Sequence, residues 1–370
     1  MRSHFSKGRA MKPLPHVIIF TFRLLLGLCA AVSVLLLSAC GGDSQYIKPS
    51  PQAFSDIPTT FYQDKPYSDG VRNKLDLLVP QCNGFCPVVV FVHGGKFTEG
   101  DKSEAYEGAR TSRWVSATRA LLEKGIAVAS VNYTYLDITG NEDQGLERQM
   151  REITRAVQTL KHDGLGMGIL AHRMMLAGHS AGAGAAFWVA FSDDQMDPGG
   201  DSVAQTSSSV LGVFALEGQS TYDIIRWNDD VMPGDNVVNE MLYGTSLEDT
   251  RVLMEAAYNL ESLTEWSDLH GPGVASYRRS LDMLALLTSG DPEFWIDNST
   301  VVGTFGQLRT PDALYHGGEH AEALHRRALE VGVDHTAVTA TTGTVRYLYG
   351  GQQTRDNNPI EFAARILGVE

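Results

Sequence analysis

The chain is poor in basic residues, and this deficit excludes one broad class of function. It has 30 lysines and arginines against 44 aspartates and glutamates among 370 residues, a formal net charge of −14 at pH 7. Five of the basic residues and no acids lie in residues 1–39, so the charge of the remaining chain is near −19. Because nucleic-acid binding needs a basic surface, the composition argues against a nucleic-acid partner.

A hydrophobic run long enough to cross a bilayer is also missing. Residues 24–37 are uncharged and mostly apolar, about 14 positions where a membrane helix needs about 20. The run follows a basic stretch and ends just before Cys40. Residues 1–39 are therefore typical of an export signal that is not part of the fold.

Cys40 follows a small-residue stretch that resembles a bacterial lipobox, in which the cysteine becomes the lipidated N-terminus. A plain signal peptide that ends at Ala39 is the alternative, and Met11 is a second candidate start. Residues 40–60 contain glycine, serine and proline and are typical of a tether. The lipobox interpretation predicts a lipid anchor in the bacterial cell envelope, facing the periplasm on the outer membrane. The membrane is then a partner, and protein partners stay open.

Cysteine is scarce, with four in the chain. Cys29 and Cys40 belong to the leader and its end, which leaves Cys82 and Cys86. In an exported protein this pair predicts a small disulfide loop. A metal site is the alternative, but zinc normally takes four ligands, so we predict no metal and no other cofactor.

A serine between two glycines stands between a predicted strand and a predicted helix. Met174–Ala177 is apolar, Gly178–Gly182 reads Gly-His-Ser-Ala-Gly, and small residues follow. A serine on such a turn has strained backbone, and the glycines remove side chains that would clash. The turn raises Ser180 above the sheet edge at a helix N-terminus, which favours negative charge. We predict that Ser180 is a nucleophile.

A second glycine motif ends an earlier strand. Val88–Val92 is β-branched and aromatic throughout, as expected of a strand buried on both faces. It ends at His93-Gly94-Gly95, where a glycine pair exposes backbone N–H groups toward an oxyanion. The predicted oxyanion donors are the N–H of Ala181 and that of Gly94 or Gly95.

These motifs resemble the α/β-hydrolase superfamily, in the carboxylesterase and feruloyl-esterase-like branch related to hormone-sensitive lipase. The resemblance is carried, within residues 75–192, by VVVFVHGGKFTEGDKS, GIAVASVNYTYL, REITRAVQTLKHD and RMMLAGHSAGAGAAF. It implies a serine esterase that acts on a small-molecule carboxylic ester. It also implies that His93 and His179 shape their turns, and that residues 218–290 form a cap over the pocket.

Strands alternate with helices along the chain, without internal repeats or low-complexity tracts. This predicts an α/β fold over residues 61–370, with a mostly parallel sheet, helices on both faces and a helical insertion after the strand ending near Leu216. Strands are predicted at 73–79 (an edge strand), 88–92, 126–131, 174–177, 210–216, 294–297 and 335–341, the last strand. Helices are predicted at 104–124, 146–162, 181–191, 237–243, 247–257, 276–288, 317–331 and 359–367.

The acid of a serine hydrolase on this fold lies between the nucleophile and the base in the chain. Asp297 ends the strand after the insertion and is the first candidate. Related enzymes usually carry their acid about four residues later, near Val301 here. Glu217, at the end of the preceding strand, is the second candidate. Either carboxylate also fits a capping or surface role.

The base is expected after the last strand, but residues 336–370 contain no histidine. His335 stands at the beginning of that strand and, at about 3.3 Å per residue, lies about 20 Å from the active edge. His316 and His320 start the helix that follows the Asp297 strand, and such helix N-termini lie on the active face of a parallel sheet. We therefore predict a relocated base, His316 ahead of His320, with His325 less favoured.

Two alternatives stay open at this point. His316, Glu319 and His320 suggest a metal cluster, but they lack the His-Glu-x-x-His spacing, which favours a solvated helix face. A hydrolase-fold protein that has lost efficient catalysis and binds a ligand or envelope partner is the alternative function. The intact Ser180 turn favours the esterase, because backbone strain is costly to keep without use.

Overall fold

The computed structural model describes residues 43–107, 112–139, 145–234, 248–300, 311–341, 344–351 and 356–369. The chain divides into Met1–Gln45 and Tyr46–Glu370, and the sheet and the candidate site belong to the second unit. The predicted leader, Cys40 and the predicted helix at 237–243 lie outside the described residues. Within those residues, no helix has the length and apolar character needed to span a bilayer.

The described strands join one sheet. They are β1 (Ile47–Lys48), β2 (Thr59–Pro66), β3 (Lys74–Pro80), β4 (Cys86–Val92), β5 (Ala127–Val131), β6 (Ile169–His179), β7 (Gly212–Leu216), β8 (Glu293–Asn298), β9 (His335–Thr341) and β10 (Thr344–Gly350). Their order across the sheet is β1-β2-β3-β5-β4-β6-β7-β8-β9-β10. Neighbours from β5 to β9 are parallel, and the outer pairs are antiparallel. The predicted, mostly parallel α/β sheet is confirmed.

Helices connect the parallel strands. The α-helices of four or more described residues are α1 (Arg113–Glu123), α2 (Glu147–Asp163), α3 (Ala181–Phe191), α4 (Glu248–Tyr258), α5 (Pro272–Ser280), α6 (Met283–Leu286), α7 (Pro311–His316), α8 (Gly318–Val331) and α9 (Pro359–Ile366), which follows the last strand. The single helix predicted at 276–288 is in fact two, α5 and α6. The Asp282 carboxylate accepts a hydrogen bond from the Leu284 N–H, so it caps a new helix there.

Two strand predictions were wrong at the sheet margins. β3 was predicted as an edge strand, but it lies between β2 and β5. The strand β2 was missed because its segment is polar, although Phe61 and Tyr62 are buried. β9 was predicted as the last strand, but β10 pairs with it antiparallel and leaves Val345 and Tyr347 about half exposed. Neither outer strand has the continuous apolar run of a doubly buried strand.

Alternate residues of the central strands face two different apolar layers. In β4, Val88 and Val90 pack in a cluster with residues of α2 and α3. Val89 and Phe91 pack in a second cluster with residues of α1 and α9. Burial of each such side chain contributes roughly 1.5–3 kcal/mol, which is why every residue of β4 is buried. This packing fixes the carboxyl ends of the strands, where the candidate site lies.

Cys82 and Cys86 form a disulfide at the start of β4. The bond closes the short turn between β3 and β4. It lies at the opposite end of β4 from His93 and Gly94, so it stiffens the strand entrance and takes no part in the site.

Candidate active site

Ser180 lies on the turn between β6 and α3 in strained backbone. Its φ is 51° and its ψ is −122°, a backbone conformation that residues other than glycine rarely adopt. A Cβ at Gly178 would come within 2.3 Å of the Gly182 carbonyl oxygen, and one at Gly182 within 2.2 Å of the Val92 oxygen. Gly178 therefore lets the turn close on itself, and Gly182 lets it approach the end of β4. Such strain costs on the order of 1–3 kcal/mol and persists only where the surroundings enforce it.

The structure brings Ser180 and His316 together. The Ser180 Oγ lies 2.8 Å from the His316 Nε2, although the two residues are 136 positions apart. His316 is the last residue of α7, which follows β8 and precedes α8. The distance is that of a hydrogen bond between a nucleophile and a general base.

The other candidate histidines are engaged elsewhere. The His320 ring is fully buried; its Nδ1 accepts from the Ser220 N–H at 3.2 Å, and its Nε2 donates to the Leu314 oxygen at 3.1 Å. His325 Nδ1 lies 2.7 Å from His335 Nε2. The rings of His320, His325 and His335 thus have structural partners. Of the four histidines, His316 alone is in hydrogen-bond contact with Ser180 in the described part of the chain.

The Asp297 carboxylate has partners other than His316 among the described residues. Its Oδ1 accepts hydrogen bonds from the Ser299 N–H at 3.0 Å and the Ser299 hydroxyl at 2.6 Å, and its Oδ2 lies 3.8 Å from an Arg113 nitrogen. Successive side chains of a strand point to opposite faces of the sheet, and this explains the direction of the Asp297 side chain in β8. Trp295, two residues earlier, packs with the α1 and α9 cluster, so Asp297 points to that same face.

Glu217, the second acid candidate, contacts the other histidine of the serine turn. Its Oε2 lies 3.0 Å from the His179 Nε2, and its Oε1 accepts from Arg113 at 2.8 Å and from the Thr300 hydroxyl. The hydrogen bond from His179, helped by Thr300 and Arg113 and opposed by burial, lowers the pKa of Glu217 to about 2. Glu217 is therefore an ionised carboxylate that anchors His179. Arg113, which joins Glu217 and Asp297, had no motif to reveal it in the sequence.

The predicted oxyanion donors lie around Ser180. Gly95, Lys96 and Phe97 all have positive φ (98°, 54° and 64°), so the chain coils tightly after β4. Gly95 and Ala181 line the same cavity as Ser180 and His316. Ala181 is the first residue of α3, and the first N–H groups of a helix have no acceptor within it.

Gly94 and His93 stabilise the contact between the end of β4 and the serine turn. A Cβ at Gly94 would come within 3.1 Å of the Ser180 Cβ, so Gly94 packs against the serine turn. The His93 ring is fully buried, stacks on Tyr133 at 4.4 Å between centroids, and donates from Nδ1 to the Gly94 oxygen at 2.8 Å. Burial lowers the pKa of His93 to about 4, so the ring is neutral at pH 7.

A cavity of about 610 Å³ opens at Ser180 and His316. Much of its wall is apolar and comes from the insertion after β7: Tyr222, Ile224, Trp227, Leu253, Met254 and Tyr258. The Tyr222 hydroxyl also donates to the Ala181 oxygen at 2.5 Å. In the described ranges, no group of three or more His, Cys, Asp or Glu is placed to hold a metal ion.

This fold and site agree with a family comparison. The chain belongs to the BD-FAE family, whose model matches residues 75–261, half of the chain. It is also 31% identical over 160 residues to the isoprenylcysteine alpha-carbonyl methylesterase ICME of Arabidopsis thaliana. That alignment covers 41% of this chain and only 33% of the plant protein. The resemblance to the α/β-hydrolase carboxylesterase branch is confirmed.

Solved structures share the fold at low sequence identity. A truncated carbohydrate esterase from gut microbiota has a TM-score of 0.58 at 15% identity, covering 87% of this chain and 100% of that one. An inhibited esterase B from Lactobacillus rhamnosis has a TM-score of 0.52 at 15% identity, covering 86% and 84% of the two chains. At such identities the likeness shows the common architecture.

Proposed function

We propose that this protein is a carboxylic ester hydrolase in which Ser180 is the nucleophile and His316 the general base. The contact of 2.8 Å between Ser180 Oγ and His316 Nε2 carries the proposal. Membership of the BD-FAE family supports it, and so do the relatives, which are esterases by name.

The geometry gives each residue a step. As the general base, His316 accepts the Ser180 hydroxyl proton on Nε2 while Oγ attacks the ester carbonyl carbon. The N–H groups of Ala181 and of Gly95 or Gly94 donate to the resulting oxyanion. His316 then passes the proton to the departing alcohol oxygen and leaves an acyl-serine. His316 then takes a proton from a water molecule, whose oxygen adds to the acyl carbon. The bond to Oγ breaks, His316 returns the proton to Ser180, and the carboxylic acid is released.

Asp297 remains the proposed acid, with Glu217 as its competitor. Both carboxylates lie at the same sheet edge, because Leu216 pairs with Asp297 in the sheet and Glu217 follows Leu216. A negative charge at that edge stabilises the imidazolium that forms on His316. Glu217 is hydrogen-bonded to His179 and forms an ion pair of 2.8 Å with Arg113, whereas the ion pair of Asp297 with Arg113 is longer, at 3.8 Å, which makes Asp297 the stronger candidate.

The cavity favours an ester with an apolar group. Its wall includes five Phe, Tyr and Trp side chains: Phe97, Tyr222, Trp227, Tyr258 and Tyr315. Such walls bind flat or branched hydrocarbon with little polar penalty. We expect hydrolysis of esters with a substantial apolar acyl or alcohol part.

The catalytically impaired alternative rested on the missing histidine after the last strand. The His316 contact supplies an imidazole from another part of the chain, and this favours the esterase.

We also propose that the protein is a lipid-anchored lipoprotein of the bacterial cell envelope, facing the periplasm. The lipobox-like sequence before Cys40 is its support. Metabolic labelling with radioactive palmitate and membrane fractionation test it. A Cys40→Ala variant that still labels and still sediments with membranes would reject the anchor.

The activity test pairs covalent labelling with turnover. The full chain is expected to react with a fluorophosphonate and to hydrolyse p-nitrophenyl esters, and Ser180→Ala to do neither. His316→Gln is expected to lower kcat at least about 1,000-fold, as loss of a base does in serine hydrolases. His325→Gln, a histidine outside the site, is the matched control. Full activity in His316→Gln would reject the relocated base.

A further inference from the structure

Buried side chains from three segments donate hydrogen bonds to the backbone on both sides of His316. The Gln219 amide donates to the Tyr315 oxygen at 2.8 Å, and the Asn298 amide to the Gly317 oxygen at 3.0 Å. The His320 ring donates to the Leu314 oxygen at 3.1 Å. The exposed fractions of Gln219, Asn298 and His320 are 4%, 0% and 0%.

These donors are joined through the segment that follows β7. The Gly218 N–H donates to the Asn298 Oδ1 at 3.0 Å, and the Asn298 Nδ2 also donates to the Gly218 oxygen at 2.9 Å. The Ser220 N–H donates to the other His320 nitrogen at 3.2 Å. Residues 218–220 thus connect the end of β8 with the start of α8, and α7 is held between them.

The same segment is coupled to the nucleophile. The Ser180 N–H donates to the oxygen of Leu216, the last residue of β7, at 3.0 Å. The backbone that carries Ser180 and the donors that hold the backbone around His316 therefore share one anchor, the carboxyl end of β7. Displacement of these donors would change the separation of Oγ and Nε2 directly.

The helix α7 needs such support. It has six residues, and isolated helices shorter than about 12 residues are marginal in water. The last four carbonyl groups of a helix have no partner within it. Leu314 and Tyr315 are among those last residues, so buried donors satisfy carbonyl groups that would otherwise be unpaired.

We propose that Asn298, Gln219 and His320 form a clamp that holds the relocated base, His316, at Ser180. The proposal rests on the proposed function, and it assigns positioning roles to three residues that do not touch the reacting atoms. The clamp replaces the support that a base receives when it follows the last strand. It also explains why His320, the competing candidate base, is buried and turned toward Leu314 and Ser220.

The first test compares two buried glutamines. Gln158 is 5% exposed and its amide donates to the Gln195, Ala204 and Thr206 oxygens, remote from the cavity lining. Gln219→Ala is expected to lower kcat about 10-fold with KM changed less than about twofold, because a misplaced base slows the chemical step. Gln158→Ala is expected to leave both constants unchanged. Equal kcat values in the two variants would overturn the clamp, and so would a change confined to KM.

The second test uses variants of similar shape. Asn298→Asp keeps the acceptor for Gly218 but replaces two donor contacts with a carboxylate, and kcat is expected to fall about 100-fold. His320→Gln is expected to lower kcat, whereas His335→Gln, at another buried histidine, is expected to lower only stability. A fully folded Asn298→Asp variant with wild-type kcat would overturn the proposal.

A measurement without substrate separates the clamp from the proposed function. In the full chain with 15N-labelled histidine, the His316 ring signals are identified by their loss in His316→Gln. Gln219→Ala is expected to shift or broaden them, and Gln158→Ala to leave them in place. Absence of Ser180-dependent turnover in the wild type would reject the esterase, while unchanged His316 signals in Gln219→Ala and Asn298→Asp would reject the clamp.

Discussion

His179 and Glu217 form a pair beside the nucleophile, with 3.0 Å between His179 Nε2 and Glu217 Oε2. His179 immediately precedes Ser180, and Glu217 immediately follows β7. The pair therefore ties the serine turn to the neighbouring strand by side chains, in addition to the hydrogen bond from the Ser180 N–H to the Leu216 oxygen. Glu217 itself has a φ of 56°, so its backbone too is strained at this point.

The first prediction concerns this carboxylate and acid stability. The pKa of Glu217 is lowered from 4.5 to about 2, chiefly by His179, so the group stabilises the fold fully above pH 4.5 and progressively less as pH falls toward 2. Glu217→Gln is expected to reduce the free energy of unfolding by about 1–3 kcal/mol at pH 6 and by much less at pH 2.5. Urea denaturation at both pH values measures this. An equal loss at both would show that the charge is not the cause.

The second prediction separates the two candidate acids. Asp297→Asn keeps an oxygen that accepts from Ser299 but removes the charge. If Asp297 stabilises the imidazolium on His316, kcat is expected to fall about 10- to 100-fold with little change in KM. Glu217→Gln is the comparison, and steady-state kinetics on a p-nitrophenyl ester is the measurement. A larger kcat loss in Glu217→Gln would move the role to Glu217.

Local signals in the sequence account for the parts of the site that were predicted well. The apolar run before His93 and the glycines around Ser180 are contiguous in the chain, so they predict a strand and its turn without any distant partner. The choice of His316 needed a long-range argument, because no motif surrounds it. Its support by Gln219 and Asn298 was not predictable at all, since single amides inside loops and strand ends carry no pattern.

The outer strands show the same limit. β4 is apolar throughout because helices cover both of its faces. β2 lies between β3 and the two-residue strand β1, β10 pairs with β9 alone, and solvent covers much of β10. Strand pairing of that kind depends on a neighbouring strand, and it gives the sequence of the outer strand no distinctive hydrophobic pattern.

The third prediction tests the close approach of the serine turn to β4. A Cβ at Gly182 would lie 2.2 Å from the Val92 oxygen and 2.3 Å from the His93 oxygen, both backbone atoms that do not yield easily. Gly182→Ala is expected to abolish fluorophosphonate labelling and to lower the free energy of unfolding by several kcal/mol. Gly273→Ala, where a Cβ meets nothing within 4 Å, is the control and is expected to be neutral or slightly stabilising. Wild-type labelling of Gly182→Ala would contradict this account of the turn.

The last prediction follows from the buried imidazole under the oxyanion turn. Burial lowers the pKa of His93 from 6.5 to about 4, against the opposing effect of its hydrogen bond to the Gly94 oxygen. Between these values the unfolded chain binds a proton that the folded chain does not, so stability is complete above pH 6.5 and declines as pH falls. From pH 7.5 to pH 5 this group is expected to remove about 2 kcal/mol from the free energy of unfolding.

His93→Asn isolates that contribution, because an asparagine amide can donate to Gly94 in place of Nδ1 but does not ionise. The variant is expected to be less stable than the wild type at pH 7.5, since it leaves a cavity beside Tyr133. The difference between the two proteins is expected to narrow by about 2 kcal/mol at pH 5. Parallel urea denaturation curves at the two pH values decide the matter. A difference that stays constant with pH would mean that the folded and unfolded chains protonate His93 alike, and the lowering of its pKa by burial would be wrong.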